Sequence, residues 1–388
     1  MGKINILFFF EHLGIGGQNE TVFTVARALD ERKFNKFICY TIGGIYEERA
    51  KKHQIHLIKI ANLNTRDLSL INFRNIPKHS YIVLKVLNLI KNFKIDIILT
   101  TCNYSYVLGG IAAKISRTSH VWMPGALIKT IGGVFGKLFP KLGLHHLADM
   151  FIVGIKTMKE ELINYDVNTQ KIKLVPYGID LRLFDHKLSS EGIRNEFNIE
   201  KDCPVVGIIS RIVPDRGHDV LIKAARKILK YNIKTKFFIV GDDIKDGTYR
   251  KHIEEMAKVY GVYDNFIFTG WRTDIPRIIS ALDIGVLVPK DPTGGVFLRE
   301  AMACAKPIIT TDGESGAQRS WIKHGVTGIL IPPKNMDDHL ANAIIDLLND
   351  KAKAKTIGVN ARKYTEKYAD LNKTVKEIEK VFIELVDK

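Results

Sequence analysis

Residues 204–230, PVVGIISRIVPDRGHDVLIKAARKILK, decide the fold. An apolar, β-branched run ends at Ser210, a loop containing Gly217 follows, and residues 218–230 then place apolar side chains at helical spacing. A strand buried on both faces and followed by a helix is the repeating unit of a parallel α/β sheet. The next apolar run, residues 236–241, begins another such unit. The stretch therefore predicts a doubly wound parallel sheet.

The same alternation continues on both sides of this stretch. In the first half, short apolar runs predict strands at residues 4–10, 37–41, 56–60, 96–100, 120–123, 150–153 and 173–175. We predict an α/β protein of two Rossmann-like domains, with an N-terminal domain over residues 1–178, a polar linker over 179–202 and a C-terminal domain over 203–365. Residues 366–388 predict a terminal helix that packs back on the N-terminal domain. Because ligands of such sheets bind beyond the carboxyl ends of the strands, the tandem arrangement predicts a site in a central cleft.

The chain is strongly basic, and its charge is unevenly distributed. The 388 residues include 58 Lys and Arg against 42 Asp and Glu, which gives a net charge of +16. Residues 50–145 contain 14 of the basic residues and only two acids, Asp67 and Asp96. This excess favours an anionic partner, and composition leaves nucleic acid, an anionic membrane and phosphorylated small molecules open. The sequence lacks zinc-finger spacing, an RNP-like aromatic strand and a basic helix of the usual kind, so we predict no nucleic-acid binding.

The cysteines and the apolar runs indicate a cytoplasmic protein. The cysteines lie far apart, with no metal-ligand or redox spacing, at positions 39, 102, 203 and 304. We therefore predict reduced thiols and no metal site. The N-terminal apolar run ends at Glu11, too early for a signal peptide, and polar residues interrupt the longest uncharged stretch, residues 97–113.

A glycine-containing turn follows the first predicted strand. His12, Gly16 and Gly17 lie in this turn, directly before a helical pattern. Glycines let a ligand approach the backbone closely, and the N–H groups of the first helical turn favour an anion. The alternative is a tight strand-to-helix turn that needs glycine for its own geometry, with His12 either a contact residue or a cap.

Two arginines occupy the loop after the strand that ends at Ser210. Arg211 and Arg216 are five positions apart, and two guanidinium groups at such a strand end can hold a diphosphate bidentately. The alternative is a pair of solvated surface charges.

A second glycine-containing loop precedes the helix that includes Glu300. Its candidate ligand-contacting residues are Asp291, Thr293, Gly294, Gly295 and Val296. A loop of this kind before a helix N-terminus can hold a phosphate and a sugar. The Glu300 carboxylate can accept hydrogen bonds from vicinal hydroxyl groups, or it can be a solvated residue on the helix face.

These motifs, taken in order, closely resemble the second domain of retaining GT-B glycosyltransferases of family four. The matching segments are Ser210-Arg211, Gly217-His218-Asp219, Phe268-Thr269-Gly270-Trp271, Asp274-Ile275-Pro276, Asp283-Ile284, Glu300-Ala301-Met302-Ala303, Pro307 and Gly325-Val326-Thr327-Gly328. Gly16-Gly17, Ala148-Asp149 and Pro176-Tyr177-Gly178-Ile179-Asp180 extend the resemblance into the first domain.

The resemblance implies a nucleotide-sugar donor in the second domain, an acceptor in the first, and transfer without an obligatory metal or cofactor. Arg211 and Arg216 would hold the donor diphosphate and Glu300 the ribose hydroxyls. The loop from Thr293 to Val296, with Trp271, would contact the donor, and Gly16 and Gly17 would close over it. The donor is expected to be UDP- or GDP-linked and the acceptor a glycan or lipid-linked glycan. Cell-envelope polysaccharide or lipopolysaccharide synthesis is the expected setting.

Three positions depart from the family pattern. Arg216 stands where a lysine is usual, and Pro292 stands where the first of two paired glutamates is usual. Either Asp291 substitutes for that glutamate or the sugar is held differently. Pro124 and Gly125 replace a frequent histidine; nearby His120 is a weak candidate whose alternative is an ordinary strand histidine. These departures keep open a catalytically weak or inactive GT-B protein that binds a nucleotide sugar or serves as a partner subunit.

Two segments of the first domain suggest attachment to an anionic membrane. Residues 126–142 interleave large apolar residues with three lysines and no acid, and the helix at residues 78–94 carries further lysines beside aliphatic residues. Lysines beside apolar residues suit the headgroup region of anionic lipid. The alternative is core-packed helix with solvated lysines. We expect a cytoplasmic protein that is peripheral on the inner face of the membrane.

Overall fold

The computed structural model describes residues 2–62, 73–128, 139–243, 247–290, 295–313 and 316–387. It forms two compact units. The first comprises Met1–Gly178 together with Leu371–Lys388, and the second comprises Ile179–Asp370. Each contains a parallel sheet with helices, so the predicted α/β class is confirmed.

The described strands of the first unit form a seven-stranded sheet in the order β3-β2-β1-β4-β5-β6-β7. These strands are β1 (Ile4–His12), β2 (Phe34–Ile42), β3 (His56–Lys59), β4 (Ile97–Thr100), β5 (Ser119–Trp122), β6 (Met150–Val153) and β7 (Ile172–Leu174). The described helices before residue 178 are α1 (Gly17–Ala28), α2 (Tyr46–Lys52), α3 (Ile76–Phe93), α4 (Asn103–Ser116) and α5 (Lys156–Asn164).

Strand β1 is apolar and buried from Ile6 to Phe10 because both faces of the sheet are covered. Ile6, Phe8 and Phe10 join one buried cluster, whereas Leu7 and Phe9 join another. Successive side chains of a strand point to opposite faces, so a run without alternation needs a core on each side.

The last helix of the chain, α13 (Leu371–Val386), completes the core of the first unit. Val375, Ile378 and Phe382 recur at helical spacing and pack in the cluster that contains β1. The Phe382 ring is fully buried, with its centroid 6.1 Å from that of Phe34 in an edge-to-face contact. The N-terminal unit therefore includes residues from the far end of the chain.

The described strands of the second unit form a six-stranded sheet in the order β10-β9-β8-β11-β12-β13. These strands are β8 (Val205–Ile209), β9 (Lys236–Val240), β10 (Phe266–Gly270), β11 (Ile284–Leu287), β12 (Ile308–Thr311) and β13 (Ile329–Ile331). Its described helices are α6 (Glu191–Glu196), α7 (His218–Tyr231), α8 (Thr248–Val259), α9 (Ile275–Ala281), α10 (Val296–Ala303), α11 (Met336–Asn349) and α12 (Lys351–Tyr368).

Residues 179–202, expected from sequence to be a linker, fall within the second unit and contain α6. Arg194 of α6 donates hydrogen bonds to the backbone carbonyls of Glu200 and Cys203, both at 2.9 Å, and its guanidinium lies 3.1 Å from the Asp283 carboxylate. These contacts tie the segment to the end of the sheet where β8 and β11 begin. Within the described ranges, no helix is long and apolar enough to cross a membrane.

Candidate functional site

The strand order of the second sheet reverses between β8 and β11, and this reversal positions a crevice. Neighbouring parallel strands whose connections leave in opposite directions open a gap at their carboxyl ends, which is where ligands of such sheets bind. Two described loops border this gap, residues 210–217 after β8 and residues 288–290 after β11, and the first of them contains the predicted Arg211 and Arg216. They touch directly, because the Lys290 backbone N–H donates to the Asp215 carbonyl at 3.0 Å.

Gly217 lets the two loops approach each other. Its φ is +84°, and a Cβ at this position would lie 2.3 Å from the carbonyl oxygen of Val288. An L side chain is disfavoured at that φ and has no room against the backbone of Val288. The glycine therefore brings the loop after β8 against the end of β11 and starts α7.

Basic and acidic groups alternate around the crevice. Arg211 and Arg216 lie on the loop after β8, and the Arg216 Nε is 3.7 Å from Asp215 Oδ2. Lys290, after β11, places Nζ 2.9 Å from Oδ2 of Asp219 in the first turn of α7. The structure thus places the predicted arginine pair at the point where the strand order reverses. Lys290 and Asp219, whose roles were not predicted from the sequence, lie there as well.

Helix α10 begins on the other side of the crevice. Its N-cap is Gly295, whose backbone is extended, and Glu300 follows within the helix with only 8% of its surface exposed. Glu300 is therefore a buried carboxylate and not a solvated residue on the helix face. The first-turn N–H groups of a helix favour an anion. Asp291, Thr293 and Gly294 lie outside the described residues.

Trp271 lies elsewhere on the second unit. It follows β10, an edge strand two positions away from β8 in the sheet, and 39% of its surface is exposed. The neighbouring Arg272 pairs with both Glu196 and Asp274, which anchors this loop to α6. The structure thus does not bring Trp271 to the gap between β8 and β11.

His218, the second residue of the Gly-His-Asp motif, is fully buried. Burial lowers the pKa of His218 to about 4, so the imidazole is neutral at physiological pH. Its Nε2 lies 3.4 Å from the Ser210 hydroxyl oxygen. This histidine supports the loop that carries the arginines.

In the first unit, His12 helps to hold the turn before α1. Its Nδ1 accepts a hydrogen bond from the Gly14 N–H at 3.1 Å, and the buried Asn19 side chain donates to the carbonyls of His12 and Gly14, both at 2.9 Å. Gly16 is the N-cap of α1 and Gly17 its first residue. No atom of the described residues lies within 4 Å of a Cβ built on Gly16, so packing alone does not require glycine there.

His120 is a buried strand histidine. Its Nε2 lies 2.8 Å from the Thr100 hydroxyl, and its Nδ1 lies 2.8 Å from the Leu147 carbonyl oxygen. Burial lowers the pKa of His120 to about 4. Both ring nitrogens are engaged within the fold, which matches the structural alternative given for this residue.

The basic, apolar segments are only partly available as a surface. Leu127, Ile128 and Phe139, within the segment 126–142, are buried in the core, which corrects the expectation that their side chains face lipid; residues 129–138 lie outside the described ranges. In α3, Val83 and Leu89 are buried as well. The exposed side chains of α3 include those of Lys78, Tyr81, Leu84, Lys85 and Lys91.

Comparison with known families agrees with this arrangement. Residues 189–364 match the family described as Glycosyl transferases group 1, and residues 15–183 match the family described as Glycosyltransferase Family 4. The chain belongs to the group 1 glycosyltransferases. An uncharacterized glycosyltransferase of Methanocaldococcus jannaschii is 27% identical to it over 242 residues, and the match spans 60% of each chain.

Two further proteins resemble this chain over more of its length. The UDP-Gal:α-D-GlcNAc-diphosphoundecaprenol α-1,3-galactosyltransferase of Escherichia coli is 23% identical over 321 residues, covering 78% of this chain and 79% of the relative. The solved structure of Anabaena HepE in complex with UDP-glucose superposes with a TM-score of 0.84 at 22% identity, covering 98% of this chain and all of that one. This structural likeness confirms the GT-B fold.

Proposed function

We propose that this chain transfers a sugar from a nucleotide-sugar donor to a glycan or lipid-linked acceptor, with retention of anomeric configuration. In this reaction the bond between the anomeric carbon and the diphosphate oxygen breaks, and the nucleoside diphosphate leaves with the electron pair. The acceptor hydroxyl oxygen bonds to the anomeric carbon, and its proton passes to the departing diphosphate. Donor binding requires no metal or other cofactor in this proposal.

The charged residues at the strand-order reversal between β8 and β11 are the observation that carries the proposal. Arg211 and Arg216 lie at the strand edge where the leaving diphosphate would gain negative charge, and fixed cations stabilise such charge as it develops. Glu300 supplies a buried carboxylate for vicinal hydroxyl groups of the donor. It lies six residues after Gly294, in the loop that we propose contacts the donor. Lys290 adds a further cation to the same edge.

The names of two similar proteins support a nucleotide-sugar donor and a lipid-linked acceptor. The E. coli relative is named for a UDP-linked sugar and a diphosphoundecaprenol acceptor, and HepE was solved with UDP-glucose. We infer a UDP- or GDP-linked donor and a role in cell-envelope polysaccharide or lipopolysaccharide synthesis.

A thermal-shift panel of UDP-, GDP- and ADP-sugars tests donor binding, since a ligand that binds the folded state raises its stability. Removing a charge-assisted contact in Arg211→Ala or Arg216→Ala should weaken donor binding by roughly 10- to 150-fold. Arg226→Ala, an exposed arginine of α7, is the matched control and should bind like the wild type. Failure of every donor to bind overturns the proposal. Donor binding without hydrolysis or transfer on any acceptor extract would instead favour the nucleotide-sugar-binding subunit.

We also propose that α3 attaches the protein to the inner face of the cytoplasmic membrane. Its described residues contain no acid, and Lys78, Lys85 and Lys91 are exposed beside Tyr81 and Leu84. Each lysine near an anionic leaflet contributes about 1 kcal/mol. The double variant Lys78→Glu/Lys85→Glu should lose flotation with anionic liposomes at low salt. Lys223→Glu/Lys227→Glu, with the same charge change in the second unit, should retain it. Absence of the wild type from both anionic and neutral liposome fractions would refute this attachment.

A further inference from the structure

A second polar cluster lies in the first unit, where the strand order reverses between β1 and β4. Glu11 is near the carboxyl end of β1, and Tyr104 is in the first turn of α4, which follows β4. The Tyr104 backbone N–H donates to Glu11 Oε1 at 3.1 Å. His79 of α3 meets the Tyr104 ring edge-on, with ring centroids 5.5 Å apart. Three elements therefore bring these residues together at the ligand-binding edge of this sheet.

Two polar atoms of the cluster are buried, and neither is hydrogen-bonded to a described residue. Tyr104 is 5% exposed, and neither its hydroxyl nor His79 Nε2 has a hydrogen-bond partner in the part of the chain that the structure describes. Buried polar groups in proteins are nearly always hydrogen-bonded, because leaving them unpaired costs free energy. A ligand that supplies a hydroxyl group to both atoms would recover that cost.

The charges of the cluster limit the class of ligand. Burial, with the Glu11 carboxylate nearby, raises the pKa of the Tyr104 hydroxyl, and burial lowers the pKa of His79. Both groups are thus neutral at physiological pH, and Glu11 contributes a negative charge. A phosphate would be repelled here, in contrast to the basic crevice of the second unit. An uncharged sugar offers hydroxyl groups that can both donate and accept hydrogen bonds.

We propose that Glu11, His79 and Tyr104 bind an uncharged sugar of the acceptor. The inference rests on the proposed function and deepens it, because it assigns residues and a chemical class to the acceptor side. Tyr104 and His79 form hydrogen bonds with sugar hydroxyl groups, and the Glu11 carboxylate accepts a further one. The acceptor's phosphates, where it has them, lie outside this cluster.

Octyl α-glycosides of glucose, galactose, mannose and N-acetylglucosamine are suitable probes, with octyl glucuronide as the charged comparison. Saturable binding is measured by ligand-observed NMR on the full chain. The wild type should bind at least one neutral glycoside more tightly than the glucuronide. Tyr104→Phe should weaken that binding by about 2- to 13-fold, which is the range for one lost hydrogen bond. The melting temperature of Tyr104→Phe should not fall, because the Tyr104 hydroxyl has no hydrogen-bond partner to lose among the described residues.

Tyr106→Phe is the matched control on the same helix. The Tyr106 hydroxyl donates to the Leu144 carbonyl at 2.6 Å, so this variant should be less stable yet bind the glycoside normally. Equal glycoside binding by Tyr104→Phe and the wild type overturns the inference, as does binding of the glucuronide as tightly as the neutral glycosides or of no glycoside at all. Nucleotide-sugar binding is measured on the same samples. If nucleotide-sugar binding persists while glycoside binding fails, only this inference is wrong. If no nucleotide sugar binds, the proposed function is wrong.

Discussion

Replacing Gly217 with alanine should destabilise the second unit and weaken donor binding. At the φ of +84° an L side chain costs about 1–2 kcal/mol, and the new Cβ would lie 2.3 Å from the Val288 carbonyl oxygen. Moving the backbone to relieve this contact costs roughly 1–3 kcal/mol more. The expected loss is therefore about 2–5 kcal/mol, a large part of the ~5–15 kcal/mol that stabilises a typical domain.

Gly247→Ala separates the two contributions. Gly247 has a φ of +76° and also precedes a helix of the second unit, but no described atom lies within 4 Å of a Cβ at this position. It carries the backbone strain without the contact. In guanidinium unfolding, Gly217→Ala should lose about 1–3 kcal/mol more than Gly247→Ala. Equal losses, or full donor affinity in Gly217→Ala, would refute the view that close contact of the two loops shapes the crevice.

Three further outcomes follow from burial. Phe382→Ala should cost about 3–5 kcal/mol, and hydrogen exchange should show the loss in β1 to β4; an effect confined to the second unit would contradict this. Burial lowers the pKa of His120 and His218 from the usual 6.5 to about 4, so both bind protons on unfolding. The free energy of unfolding should therefore fall as the pH decreases from about 6.5 to 5, and a flat profile in urea titrations would disagree. Burial raises the pKa of the thiols of Cys39 and Cys304, the latter to about 12, so mass spectrometry should find slow alkylation at pH 8 until the chain unfolds.

The sequence predicted the strands well because burial on both faces leaves a local signal. The run at Phe8, Phe9 and Phe10 has no polar alternation, and the structure covers both of its faces. The position of the arginine pair could be predicted for a related reason, since a loop that directly follows a buried strand must lie at the carboxyl edge of the sheet.

Contacts between distant segments left no such signal. Lys290 and Asp219 are 71 positions apart, and Glu11 and Tyr104 are 93 apart. Each pair meets because two strands are neighbours in the sheet. The spacing of apolar residues within either segment does not reveal the order of the strands. Similarly, alternating lysines and apolar residues did not reveal that Leu127 and Phe139 are core residues, because periodicity does not say which partner covers a face.

The position of α13 has a consequence for synthesis of the chain. The polypeptide leaves the first unit after Gly178 and returns to it at Leu371, so the whole second unit is inserted between two parts of one core. During translation the second unit has all of its residues before the first does. The N-terminal sheet emerges early but waits for the last helix to cover Phe34 and its neighbours. A premature stop or a fused C-terminal sequence that displaced this helix would therefore damage the part of the protein that was made first.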